Sequence, residues 1–284
     1  MKHPTAETLI SLQSKKRFAL FLSLLFFLIS LFALVSHWPV AYALIAFSCV
    51  FHLLSSQLYK RRYASAFIHA LMEQAVVGKL ASVTYAESEN ADGLLAAKGF
   101  TPNVPFVSGA KQHHVLHGLS DGSHFSIGEA VFLRKHGGRQ MGSVGGTLVV
   151  ADGVLPQDER WMIALGDPFA AVCTREEYVQ GGYVESPPEE TAPQDKNTKD
   201  SPALLLYQGK SAERLPACAA ALRQMVCPSA LALAACGGSL SLFLVGSYYA
   251  PSKIDGSKPF DPAMLKGARL PAFETMQKLM DAVR

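Results

Sequence analysis

Between Phe18 and Ser36 the chain carries no charged residue and consists almost wholly of Leu, Phe, Ile, Val and Ala. At the helical rise per residue this stretch is long enough to cross a hydrocarbon core. Its large apolar side chains each favour insertion by about 0.3–0.6 kcal/mol, which sums to several kcal/mol. A second apolar stretch, Ala41 to Tyr59, is weaker because it holds Ser48, His52, Ser55, Ser56 and Gln57. Only the turn His37-Trp38-Pro39-Val40 separates the two. They are expected to cross as one hairpin, with the bilayer as the partner of residues 18–59.

The flanks orient this hairpin. Lys15, Lys16 and Arg17 precede the first span, Lys60, Arg61 and Arg62 follow the second, and the turn has neither Lys nor Arg. The positive-inside rule then places both ends in the cytoplasm, a multi-pass topology with both termini cytoplasmic. Trp38 and Tyr42 mark one membrane surface, Tyr59 and Tyr63 the other. The basic clusters add about 1 kcal/mol per residue toward anionic headgroups. A cleaved leader fits poorly: the apolar core is too long, no small-x-small site follows it cleanly, and a second span comes at once. Ser23 and Ser30, one heptad apart, are small enough to face either the second span or a second copy of the chain.

The expected organisation is a cytoplasmic lead over 1–17, the hairpin over 18–62, and a cytoplasmic α+β domain over 63–284. That leaves enough chain after the hairpin for a sizeable core. The formal net charge is +3, much of the basic excess flanks the spans, and no basic stripe with interleaved aromatics points to nucleic acid. The cysteines (Cys49, Cys173, Cys218, Cys227, Cys236) are odd in number and lack a CxxC pair. With a cytoplasmic domain they read as free thiols used for packing.

Beyond the hairpin, Tyr63 to Leu80 continues helical, with Phe67, Ile68, Leu71, Ala75 and Val76 at helical spacing. Ser82 to Tyr85 reads as a strand, and Ala91 to Lys98 as a short helix ended by Gly99. Strands follow over His113–Leu119 and His124–Val131, joined by the turn signal Asp121-Gly122. Met141–Val150, Trp161–Leu165 and Phe169–Cys173 are further strands, and Gly142–Gly146 reads as a turn. Glu185 to Pro202 has no apolar periodicity and reads as a disordered loop. Leu204–Tyr207 is a strand and Ser211–Met225 a helix. The charge-free run Ala230–Ala250 has two readings. As a third span it would export Lys253, Lys258, Lys266 and Arg269 against the positive-inside rule. Alternation of Leu240, Leu242 and Leu244 about the turn Gly237-Gly238 favours a buried β-hairpin. Pro271–Arg284 closes the chain as an amphipathic helix.

Scattered segments carry a family resemblance. They are Tyr85, Gly93-Leu94-Leu95 with Phe100, His117 to Gly122 leading to Phe125-Ser126-Ile127-Gly128-Glu129, Gly145 to Val150, and the late hairpin running into Phe260-Asp261-Pro262. In these the chain resembles bacterial membrane proteins of domain-of-unknown-function family 3137. The resemblance implies a two-span anchor, a juxtamembrane helix and a mixed α/β cytoplasmic domain at a bacterial inner membrane. It implies no activity. The chain departs from the family pattern at Asp261, where Glu is usual, and in the loop at 185–202.

Chemical motifs are few. Gly209-Lys210-Ser211 ends like a phosphate-binding loop, but Leu205 stands where that loop needs Gly. His113, His114, His117, His124 and His136 cluster in sequence, and His113, His117 and His124 are the candidate metal ligands. On a regular strand His113 and His117 share a face, with His124 on the paired strand, and converging imidazoles would suit zinc. The competing reading makes them surface residues beside a turn. Asp121, Glu129, Asp152 and Asp167 stand in turn-like contexts. No catalytic residue or cofactor is assigned. The expectation is a membrane-anchored, cytoplasm-facing binding or scaffold protein with a protein partner. The alternatives are a metal-dependent hydrolase at the membrane or a ligand-sensing domain.

Overall fold

A computed structural model describes residues 6–36, 38–92, 94–101, 107–166, 168–186, 204–208, 214–224, 230–246, 260–266 and 268–283. The chain is a mixed α+β protein with one large antiparallel sheet. Its contacts divide it into a helical unit, residues 1–75 with 250–268, and a sheet unit, 76–249 with 269–284.

The helical unit is built on α1 (Ala6–Ser36) and α2 (Trp38–Val76). Helix α1 starts well inside the expected polar lead, because Leu9 and Leu12 find an apolar partner surface there. Trp38 to Val40, expected in the turn, already belong to α2. At 1.5 Å per residue α2 is about 58 Å long, well beyond a hydrocarbon core of about 30 Å. Among the described residues one helix, Pro39–Val76, is long and apolar enough to cross a membrane.

The two helices touch in opposite chain order. Gln13 Nε2 donates to Tyr63 Oη at 3.5 Å, Ser23 Oγ lies 3.2 Å from His52 Nδ1, and the Phe26 and Phe47 rings meet edge-on at 5.9 Å. Ser48 Oγ donates to Ser23 O at 2.8 Å, so Ser23 faces the second helix. Beyond the apolar stretch, Leu9, Tyr63, Phe67 and Ala70 form a small core that Phe260 caps. Tyr63, expected at the membrane surface, is buried in that core. The Phe260 N–H donates to Gln13 Oε1 at 2.9 Å, and a 3-10 helix over Pro262–Leu265, capped by Asp261, follows it.

The sheet unit contains β1 (Ala81–Glu89), β2 (Val107–Ser120), β3 (Ser123–His136), β4 (Arg139–Asp152), β5 (Trp161–Leu165), β6 (Val184–Ser186), β7 (Leu204–Gln208), β8 (Leu231–Cys236) and β9 (Ser239–Val245). Their order is β1-β2-β3-β4-β9-β8-β5-β7-β6, with every ladder antiparallel. Hairpin turns at Asp121-Gly122, Gly137-Gly138 and Gly237-Gly238 fall where their left-handed φ values require. The charge-free run after Ala230 is the β8–β9 hairpin. Leu231 to Ala235 and Leu240 to Leu244 are buried on both faces of the sheet, which explains the missing charge without a membrane.

Helices cover both faces. On one, α5 (Leu215–Gln224) and α6 (Pro271–Val283) pack together, and Phe273 of α6 meets Phe125 of β3 edge-on at 5.3 Å. On the other, Phe132 and Phe243 meet Phe100 and Phe169, which lie near the short helices α3 (Leu94–Ala97) and α4 (Arg175–Gln180). Phe169–Cys173, expected as a strand, forms a turn: the Val172 and Cys173 N–H groups both donate to Phe169 O. Its apolar residues point into the core beneath the sheet rather than across a pleat. Thr174 and Glu177 then close a capping box at the start of α4, and Arg134 of β3 grips Glu177 through two 2.8 Å bonds.

Gly142 to Gly146, expected as a turn, runs through the interior of β4. A side chain at Gly142 would overlap the Ala171 carbonyl, and one at Gly146 the Leu244 carbonyl. These glycines admit close backbone neighbours rather than reverse the chain. Within the expected loop at 185–202, Glu185 and Ser186 end β6 and residues 187–202 lie outside the described residues, as do Gly209-Lys210-Ser211 and Cys227. Cys173 and Cys218 are buried packing thiols, and burial pushes the Cys218 thiol up to about 12. Cys49 is exposed instead.

Candidate functional site

The candidate histidines sit on the first three strands, and a strand irregularity decides their arrangement. His113 is opposite Glu129 and His117 is opposite Ser126, with an extra residue of β2 between them. Positions 126 and 129 of β3 are three apart on a strand that is regular there, so they stand on opposite faces. His113 and His117 therefore do not share a face. The bulge is marked by His114, whose φ is +52°. His117 and His124 do share a face, since 124 and 126 have the same parity, but the His117 ring is taken up by Glu89, Nε2 to Oε1 2.7 Å. Among the described residues no three His, Cys, Asp or Glu side chains gather in a way that would hold a metal ion.

The bulge makes a different pair. It turns His114 toward Tyr85 of β1, whose hydroxyl lies 2.6 Å from His114 Nδ1 and whose ring stacks beside it. Burial, opposed by Glu129 and Glu87 and reinforced by His113, holds the His114 imidazole below its ordinary pKa, so the neutral ring is favoured. Sequence spacing could not find this pair, because it depends on the inserted residue.

A second polar group lies where β4 ends beside the β8–β9 turn. Lys98 Nζ is 2.8 Å from Asp152 Oδ1 and 3.3 Å from Ser239 Oγ, and Ser239 Oγ donates to the same Asp152 oxygen at 2.5 Å. Lys98 reaches this point because Gly99, at φ +80°, lies against β8 so closely that a Cβ would stand 2.8 Å from Cys236 Cβ. Burial acts to raise the Asp152 pKa, but bonds from Lys98 and Ser239, with the field of His124 opposite it, prevail and hold it low. A serine beside a lysine invites comparison with a nucleophile and its base. Here the ammonium is held by a carboxylate, and the hydroxyl proton is directed to an oxygen of low basicity. The trio is arranged as a clamp joining α3, β4 and β9. Asp152 was legible only as a turn carboxylate, and neither Lys98 nor Ser239 carried a sequence signal.

An open cleft of about 410 Å³ lies between the β2–β3 turn and α6. Phe125 and Met280 form its apolar floor, and Ser120, Asp121, Glu274, Gln277, Lys278 and Asp281 its rim. Glu274 is paired with Lys79 at 3.2 Å. A surface of this kind, an apolar floor inside a polar rim, is able to hold a ligand or a partner side chain.

No family model, curated protein or solved structure matches the chain.

Proposed function

We propose that the protein is a membrane-anchored binding or scaffold protein. In this reading α1 and α2 cross a bacterial inner membrane as a hairpin, and both termini and the sheet unit face the cytoplasm. One observation carries it: the outward surface of α1 and α2 is apolar. Phe18, Phe21, Leu24, Phe32, Phe47, Leu53 and Leu54 are all more than half exposed. Among the described residues outside these helices, the exposed large apolar side chains are only Val77, Val131, Met141, Val179 and Met264. A contiguous patch of this kind in water would be a severe aggregation liability, and in a bilayer it is solvated. The basic clusters at 15–17 and 60–62 set the orientation.

The test has two parts. A reporter fused after Arg284 should be active only in the cytoplasm, and activity on the other side overturns the orientation. Full-length protein, affinity-purified from gently solubilised membranes, should bring down a stoichiometric protein partner. A chain that comes away alone removes the scaffold reading. The cleft beside α6 favours a second reading, a ligand-sensing domain. A ligand that occupies the cleft would raise the melting temperature of the full-length protein by mass action. The hydrolase reading draws no comparable support, since its histidines are split between two faces.

A further inference from the structure

His52 lies within the apolar stretch of α2 and is exposed on it. Its Nδ1 is 3.2 Å from Ser23 Oγ of α1, and among the described residues nothing reaches its Nε2. A ring nitrogen must be a donor or an acceptor, and hydrocarbon offers a partner for neither. Polar groups inside a membrane face other protein for this reason. The geometry points to a second copy of this chain as what covers this face, with the two His52 rings hydrogen-bonded through Nε2. The inference rests on the membrane-anchor reading above.

Ser23 makes the pair chemically complete. Its hydroxyl also donates to Leu20 O at 3.1 Å. In that state the His52 Nδ1–H donates to Ser23 Oγ, and Nε2 is a bare acceptor. When the hydroxyl turns to Nδ1 instead, Nε2 carries the proton and is a bare donor. A two-fold axis along the membrane normal brings two His52 rings to one depth, and one ring of each kind satisfies the other. No proton needs to enter or leave the membrane.

The surroundings fit such a seam. Ile45, Cys49, His52, Ser56 and Tyr59 recur at alternating spacings of four and three. That is the spacing of a coiled-coil stripe. Small side chains at Cys49 and Ser56 flank His52 and let two backbones approach closely. Cys49 is exposed with a free thiol, and the other three stripe residues are partly exposed. In a parallel pair the two Cys49 residues face each other across the seam. A disulfide needs a Cα separation of roughly 4.4–6.8 Å, so Cys49 crosslinks only if the two helices pack that closely along this stripe.

The test uses full-length protein in native membranes, treated with copper phenanthroline and oxygen, which accept the two electrons and two protons released per disulfide. Wild type should give a dimer on a non-reducing gel. Cys49→Ala should lose it, and so should His52→Leu, whose added apolar character keeps the helix inserted. Leu54→Cys in the Cys49→Ala background presents a thiol at another exposed position, on a different face, and should not crosslink. The inference is overturned if membrane-borne wild type yields no Cys49-linked dimer, if His52→Leu crosslinks like wild type, or if Leu54→Cys crosslinks equally well. Recovery of wild type in the soluble fraction instead overturns the anchor reading, and this inference with it.

Discussion

Two adjacent glycines in β4 differ in what they allow. A Cβ on Gly145 would sit 3.6 Å from the Val131 side chain, an ordinary contact, whereas one on Gly146 would overlap the backbone of Leu244. Gly146→Ala should cost about 3 kcal/mol, a melting temperature lower by roughly 6–12 °C. Gly145→Ala should stay within about 1 kcal/mol of wild type. Thermal unfolding in detergent measures both, and equal losses would show that β4 and β9 are not as close as described. His114 offers a second residue-level test. Its folded pKa lies below the ordinary 6.5, so the unfolded chain binds more protons as pH falls through that value. The His114 contribution is full above about pH 7 and declines on acidification through 6.5. His114→Asn keeps a residue that tolerates the left-handed backbone and removes the titration. The fall in melting temperature between pH 7.5 and 5.5 should therefore be smaller in His114→Asn than in wild type. At this scale the sequence was least informative. Alternation places His113 and His117 on one face, and nothing in the residue types announces the inserted residue that separates them.

Elements were more legible where their physical cause is local. The turn glycines and the Leu alternation on either side of Gly237-Gly238 identified the β8–β9 hairpin, because a sheet buried on both faces excludes charge from its central strands. The closing helix was legible for the same kind of reason: Phe273, Met276, Leu279 and Met280 fall on one face, and all are buried. Phe169–Cys173 misled because buried residues in a turn beneath a sheet have the composition of a strand, and only the surrounding core distinguishes them. The α6 face gives the element-scale prediction. Phe273 is fully buried against Phe125, so Phe273→Ala should lower stability by about 3–5 kcal/mol. Glu274 is half-exposed and pairs with Lys79 at the surface, so Glu274→Ala should change stability by less than about 1 kcal/mol. Chemical denaturation of the two variants separates packing from surface charge as the source of α6 attachment.

At the scale of the molecule, the chain completes each unit only after visiting the other. The sheet lies within residues 76–249, the described segment 260–266 belongs with the helices, and α6 then covers Phe125. Hydropathy made the apolar stretches plain, but it could not indicate that residues near 260 belong with them, since that depends on one aromatic and one amide far apart in sequence. Phe260 packs against Phe67 at 6.3 Å, and its N–H is bound by Gln13. With Leu265, which also packs on that core, these two contacts hold the returning segment in the helical unit, and each can be removed alone. Gln13→Ala takes away the acceptor of the Phe260 amide but leaves the aromatic contact. Phe260→Ala opens the small core of Leu9, Tyr63 and Phe67 but leaves the acceptor. Hydrogen exchange of the amides over 260–266 reads local opening of this segment directly. Exchange there should quicken by about tenfold in Gln13→Ala, the effect of losing one hydrogen bond worth roughly 1.4 kcal/mol, and further in Phe260→Ala. Protection in β3, β4 and β9 should be unchanged in both variants, because no residue of those strands shares either contact. Loss of protection in the sheet as well would mean that the two units unfold together, and that the local reading of these two contacts is wrong.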